Sequence, residues 1–185
     1  MKVNYSFIFL VLFSLYIGYF KYLLIMLICL LIHEIAHIIF IKLFKIKITK
    51  FSLSLCGGLL EINNYEFNKL SIIKKVLIYS SGIIVNLLFY VFFNESLFGN
   101  YNFILFLFNI LPIYPLDGYN ILTIFFKNAV VYNLSTIFIV ILLIISIYNY
   151  SLGLLFITFV LIIKNIKYYI IKDKLYLLKL INNMI

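Results

Sequence analysis

Apolar positions in this chain come in long runs separated by short clusters of lysine, asparagine and glycine. Runs of about 20 apolar residues are the length a membrane-spanning helix requires. Six such spans are predicted: Tyr5–Phe20, Tyr22–Phe44, Val76–Phe93, Tyr101–Phe126, Val130–Ile147 and Ser151–Ile163. Lys2 precedes the first run, but no small-residue cleavage site follows it, so an uncleaved anchor is expected instead of a signal peptide. Two stretches depart from the pattern. Phe51–Ile62 alternates at Phe51, Leu53 and Leu55 and then meets Gly57-Gly58, which predicts a short β-hairpin turning at the glycines. After Lys164, lysines interleave with Ile, Leu and Tyr, which predicts an amphipathic helix on an anionic membrane surface, with a plain extension of the last span as the alternative. The expected fold class is an all-α integral membrane protein of six transmembrane helices, with a short membrane-associated hairpin between helices 2 and 3. Residues 1–163 form the membrane domain and 164–185 a lysine-rich cytoplasmic tail.

Composition agrees with that class. The 185 residues are 66% hydrophobic and only 11% charged, far from the balance of a soluble domain. The net charge of +9 comes from fifteen lysines and no arginine. In a soluble protein it would suggest nucleic acid; here the lysines flank apolar runs, where they set topology, and no nucleic-acid partner is expected. With six crossings, fourteen of the fifteen lysines fall on one side and only Lys21 on the other. If Tyr101–Phe126 crossed twice or not at all, the split would be eight to seven. The positive-inside rule therefore selects six crossings with both termini cytoplasmic. Cys29 and Cys56 lack metal-site or disulfide spacing and are expected to be inert.

Against this background, Leu31–Phe40 reads LIHEIAHIIF and holds both histidines of the chain with a glutamate between them. An ionisable group at the bilayer centre costs roughly 2.5–3.5 kcal/mol on insertion scales. His33 and His37, four residues apart, project from one helix face and can share one Zn²⁺, with Glu34 beside them as a base. A catalytic zinc needs three protein ligands. No third histidine exists, and Asp117 is the only other acid inside an apolar run. Pro112, Pro115 and Gly118 surround it and are expected to break the helix. Non-helical backbone at that depth must be buried in protein or line a wet cavity. Depth agrees as well. Ile35 lies about 14 Å from the span end near Phe44, and Asp117 about 15 Å from Lys127, at the helical rise.

HExxH in one span and NxxPxxxLDG in a later one together resemble the site-2 protease family of intramembrane zinc metalloproteases. The resemblance implies a membrane metalloprotease holding one Zn²⁺ through His33, His37 and Asp117, with Glu34 catalytic. Asn109, Pro112 and Gly118 match the rest of the second motif, supported by Pro115. Ser81-Gly82-Ile-Ile-Val-Asn86 looks like the family's small-Gly-Pro…Asn stretch with Ile83 in place of proline, and Cys56-Gly57-Gly58 resembles its Phe-Gly-Gly with Cys in place of Phe. Asn86, Asn109 and the hairpin with Gly57 and Gly58 are expected to hold an extended substrate, a role that helix–helix hydrogen bonding by the two asparagines rivals. Six spans and cytoplasmic termini are most similar to the sporulation branch, stage IV sporulation protein FB, whose members process a pro-sigma factor. No segment here matches that branch's usual C-terminal CBS domain. The implied partners are a membrane-associated protein substrate, inhibitory or regulatory membrane proteins and the lipid of a bacterial cell membrane.

Three other readings use the same residues. A transporter would also carry a broken helix and midplane polar groups, but usually with internal repeats, and none is visible. Two histidines and a carboxylate also suit Fe(II) in an oxygenase; the contiguous HExxH favours hydrolytic zinc. An inactive homologue serving as a scaffold would not need the intact ligand set.

Overall fold

A computed structural model describes residues 15–16, 18–54 and 57–182. The chain divides into two compact units, Met1–Ile110 and Leu111–Ile185. Among the described residues four helices are long and apolar enough to cross a membrane: Phe20–Leu43, Ile72–Phe92, Asn128–Tyr148 and the Leu152–Ile171 portion of a longer helix. The protein is an integral membrane protein. Its exposed residues are largely Ile, Leu, Phe and Tyr, as lipid-facing surfaces require.

In the first unit, helix α1 (Phe20–Leu43) leads into strands β1 (Ile48–Ser54) and β2 (Gly57–Ile62). A short helix α2 (Asn64–Asn68) follows, then α3 (Ile72–Phe92) and α4 (Leu97–Ile110). The end of α1 is set by a reversal. Lys45 takes a left-handed φ of 57°, Lys45 N–H donates to the Lys42 carbonyl, and Ile46 N–H reaches back to Ile41. These paired bonds satisfy helix-end carbonyls that would otherwise lack donors. Ile41, Ile46 and Ile78 then form one buried cluster, flanked by Phe40, Phe44, Ile48, Ile62, Phe67 and Leu70. That cluster joins the end of α1 to the first half of α3.

The strands pair antiparallel from Ile48↔Ile62 to Ser54↔Gly57. Gly57 and Gly58 lie inside β2, opposite Ser54 and Leu53, and do not form the turn expected of them. Residues 55–56, including Cys56, lie outside the described residues. The reason is one of register: Ser54 pairs with Gly57 and Leu53 with Gly58, so the ladder itself takes up both glycines.

In the second unit the predicted Tyr101–Phe126 span is interrupted. Helix α4 of the first unit ends at Ile110, and α5 (Asp117–Phe125) begins seven residues later. Pro112 and Pro115 explain the gap, since each removes a backbone donor and disfavours a helical residue before it. Neither piece is long enough to span alone. The predicted Tyr5–Phe20 span lies largely outside the described residues.

Helix α6 (Asn128–Tyr148) is followed by α7 (Leu152–Asn182), which runs past residue 163 without a break. Hydropathy falls there, but the segment from Leu154 to Asn182 contains no glycine or proline to stop a helix. Ile113, Ile139 and Leu161 form the buried cluster of this unit.

The start of α4 offers a stability test. Ser96 Oγ accepts the Gly99 N–H at 3.0 Å and donates to the Phe93 carbonyl at 2.7 Å, an N-cap bond of the usual kind. A Cβ on Gly99 would overlap the same Phe93 carbonyl, and backbone cannot step aside as a side chain can. Ser96→Ala is expected to cost about 1 kcal/mol. Gly99→Ala should cost more, roughly 2–3 kcal/mol, read as the larger drop in thermal midpoint in detergent micelles.

Candidate metal centre

Helix α1 presents His33, Glu34 and His37 on its buried side, while Ile35 and Ile39 are 51% and 57% exposed. The periodicity of the helix alone produces this division. Positions 33, 37 and 41 fall on one stripe, and Ile41 is buried with them. The polar triplet thus faces protein and the intervening isoleucines face outward, the arrangement ionisable groups in a membrane helix need.

The ring nitrogens are oriented by α3. His37 Nδ1 lies 2.7 Å from the Ile78 carbonyl oxygen. A carbonyl only accepts, so Nδ1 carries the proton and Nε2 is left with a lone pair. Ser81 Oγ sits 3.1 Å from the same Nδ1 and donates its own proton to Ile78 O at 2.7 Å. The two Nε2 atoms of His33 and His37 face each other at 3.1 Å. His33 Nδ1 meets the Asn86 Nδ2 amide group at 3.0 Å.

Gly82 makes room for both rings. A Cβ there would come within 2.5 Å of His33 Cε1 and 2.6 Å of His37 Nε2. Ser81, Gly82 and Asn86 therefore serve, in turn, as a hydrogen-bond partner, a gap and a second hydrogen-bond partner. All three are buried.

This half-site fits a divalent cation. Two nitrogens bound at about 2.0–2.1 Å in tetrahedral geometry stand roughly 3.3 Å apart, close to the observed Nε2–Nε2 separation of 3.1 Å. A ligating histidine whose other nitrogen donates to a backbone carbonyl is the common pattern at such sites, and His37 has that bond. Glu34 is buried one residue from His33.

Asp117 belongs to the second unit, in the first turn of α5. The six residues before it are fixed by several contacts. Ile113 is fully buried, Leu116 N–H donates to its carbonyl at 2.7 Å, and Tyr114 N–H donates to Ser135 Oγ at 3.2 Å. Ser135 Oγ in turn donates to Asn165 Oδ1. Tyr114 stacks on Tyr168 at a centroid distance of 4.2 Å, and Tyr119 meets both edge-on. Pro112 and Gly118 are buried within this unit. The Asp117 turn is thus held to α6 and α7 through side chains that sequence reasoning did not single out. Their only sequence mark is polarity within apolar runs.

Asn109 donates its Nδ2 to the Leu105 carbonyl one turn back in α4, at 3.0 Å. The other missed contributor is the Ile78 carbonyl, a backbone group that no residue-type pattern could mark.

Residues 21–98 match the family model described as Peptidase family M50. That segment contains His33, Glu34, His37, Ser81, Gly82 and Asn86, and it ends before Asp117. No curated protein matches the chain. Among solved structures, the Site-2 Protease from Methanocaldococcus jannaschii matches with a TM-score of 0.62 and 20% identity, over 86% of this chain and 82% of that one. At that identity the likeness is one of fold.

Gly82→Ala tests the half-site directly. The added methyl must displace the ring edges of both histidines, so affinity for Zn²⁺ is expected to fall at least about tenfold, measured by chelator competition on purified protein that still elutes as the wild type does.

Proposed function

We propose that this chain is an intramembrane zinc metalloprotease that hydrolyses a peptide bond in or near the membrane segment of a membrane-associated protein. The observation that carries the reading is the facing pair of histidine Nε2 atoms on an HExxH helix, 3.1 Å apart with His37 Nδ1 held by a backbone carbonyl. The M50 match over the same segment supports it.

In this reading His33, His37 and Asp117 hold one Zn²⁺ per chain. The sequence support for Asp117 is its place in NxxPxxxLDG and its depth, level with HExxH. The structural support is its position at the start of a helix that follows a proline-broken segment. The metal supplies Lewis acidity toward the scissile carbonyl and makes water acidic enough to react near neutral pH.

Glu34 takes the proton of the attacking water and passes it to the leaving amine. It is buried on α1 beside His33 and His37, so its carboxylate operates away from bulk solvent. Asn109, near the end of α4, is within the broken segment where a substrate backbone can be met. The edge of the β1–β2 pair, with Gly57 and Gly58 in β2, takes an extended substrate strand by edge addition. A pro-sigma factor is the substrate class that the sporulation-branch resemblance supports.

The same reading keeps six crossings, with the broken segment crossing once and both termini cytoplasmic. Cysteine labelling with an impermeant reagent checks it. Tyr150→Cys is expected to react from outside intact cells, and Lys69→Cys only after the membrane is opened. The reverse result would invert the topology.

Activity is tested by co-expression with candidate membrane-associated substrates, a pro-sigma factor among them. Glu34→Gln is expected to lower cleavage by about 10²–10⁴-fold while zinc content stays at one per chain. His37→Ala and Asp117→Ala should each lose stoichiometric zinc. Wild-type cleavage by Glu34→Gln would remove the mechanism, and full zinc in Asp117→Ala would remove the third ligand.

A further inference from the structure

Seven of the fifteen lysines fall between residues 42 and 75, against two acids. The first compact unit gathers them where α1 ends and α3 begins. The buried cluster of Ile41, Ile46 and Ile78 holds those two helix ends together. Lys42, Lys45, Lys47, Lys69 and Lys74 are all exposed around this junction.

The ammonium groups there rest on neutral partners. Lys74 Nζ lies 5.5 Å from the centre of the Phe44 ring, reaching from α3 to the end of α1. Lys69 Nζ stands 4.0 Å over Tyr65. Lys75 Nζ is 5.6 Å from the Phe67 ring and donates to the Asn68 carbonyl at 3.2 Å. Contacts of this kind orient an ammonium group without cancelling its charge. Glu66 gives one carboxylate oxygen to the Lys47 backbone N–H at 2.7 Å. The junction therefore keeps an excess of positive charge.

Topology alone does not require this placement, because lysines anywhere in the segment would satisfy the positive-inside rule. Lys74 and Lys75 instead close the first turn of α3, which has no acidic residue. Cations at that end oppose the helix dipole, and an anion brought to them offsets the cost. The same junction exposes Leu43, Tyr65, Ile72 and Ile73, the last of them 72% exposed. A soluble acidic protein or a nucleic acid would leave those side chains in water. A phospholipid meets both needs in one molecule, with phosphate for the lysines and acyl chains for the apolar residues.

We propose that the junction of α1 and α3 is a binding surface for an anionic phospholipid, with Lys69 and Lys74 as the principal phosphate contacts and Tyr65, Ile72 and Ile73 against the acyl chains. The surface is separate from the lysine-rich end of α7 and does not depend on the zinc reading. Lys74 lies one turn before Ile78 in α3, so a bound lipid steadies the same helix ends that bring the Ile78 carbonyl to His37.

The test uses the full chain purified in a neutral detergent. It is titrated with short-chain phosphatidylglycerol, or with phosphatidylcholine of the same chains, and the rise in thermal midpoint is read as binding. The wild type is expected to bind phosphatidylglycerol at least about tenfold more tightly, and about 0.5 M salt should remove most of that advantage. Each lysine near an anionic headgroup contributes about fivefold. Lys69→Gln with Lys74→Gln should therefore lose at least about tenfold in affinity, while Lys69→Arg with Lys74→Arg keeps the wild-type value. Replacing Lys172, Lys174 and Lys179 together by Gln should change affinity less than about twofold, as for distant sites. Equal binding of the two lipids, wild-type affinity in the Gln pair, or a loss confined to the tail variant would overturn the proposal. Displacement of phosphatidylglycerol by inorganic phosphate or polyglutamate at equal concentration would also overturn it and assign the surface to a soluble anion. Should the Gln pair fail to fold, Lys69→Gln alone, at an exposed position past the end of α2, decides the matter with an expected loss of about fivefold.

Discussion

The hydrogen bond from His37 Nδ1 to the Ile78 carbonyl, 2.7 Å long, is the contact on which the arrangement of α1 and α3 turns. An imidazole in a bilayer helix has no water to satisfy it, and a carbonyl in the next helix is normally spent on its own helix bond. Here that oxygen has a second lone pair available, and Ser81 adds its hydroxyl to the same acceptor. The bond does two things at once. It removes the cost of burying one ring nitrogen, and it forces the other nitrogen to be the bare one. Lipid supplies no hydrophobic drive for helix association, so polar and small residues at the contact do much of the joining. Ser81, Gly82 and Asn86 are those residues in α3.

Close approach is the second constraint. Gly82 lets the rings lie almost against the α3 backbone, and a single methyl group would occupy the space of the His33 and His37 edges. A helix with any side chain at this position would hold α1 farther off, lengthening the Ile78 bond and separating the ring nitrogens from their partners. Geometry at the ring nitrogens is therefore set by a missing atom as much as by the groups present. Family models built on residue types register such a glycine, while its reason lies in the distance between two helices.

Much of this was legible in the chain itself because helical spacing is a strong signal. HExxH declares its own face, and an apolar run declares that the face must be inward. The break after Asn109 could also be read, since two prolines within four residues leave no continuous helix. Other features were not legible, for identifiable reasons. The Ile78 carbonyl has no side-chain signature. Gly57 and Gly58 lie within a strand because pairing with Ser54 and Leu53, not glycine content, decides their place. Lysine at 164 changed the composition without supplying a helix stop, so α7 continues past it, as the alternative of an extended last span has it. Ser135, Asn165 and Tyr168, which hold the residues before Asp117, look like isolated polar or aromatic positions until the fold brings them together.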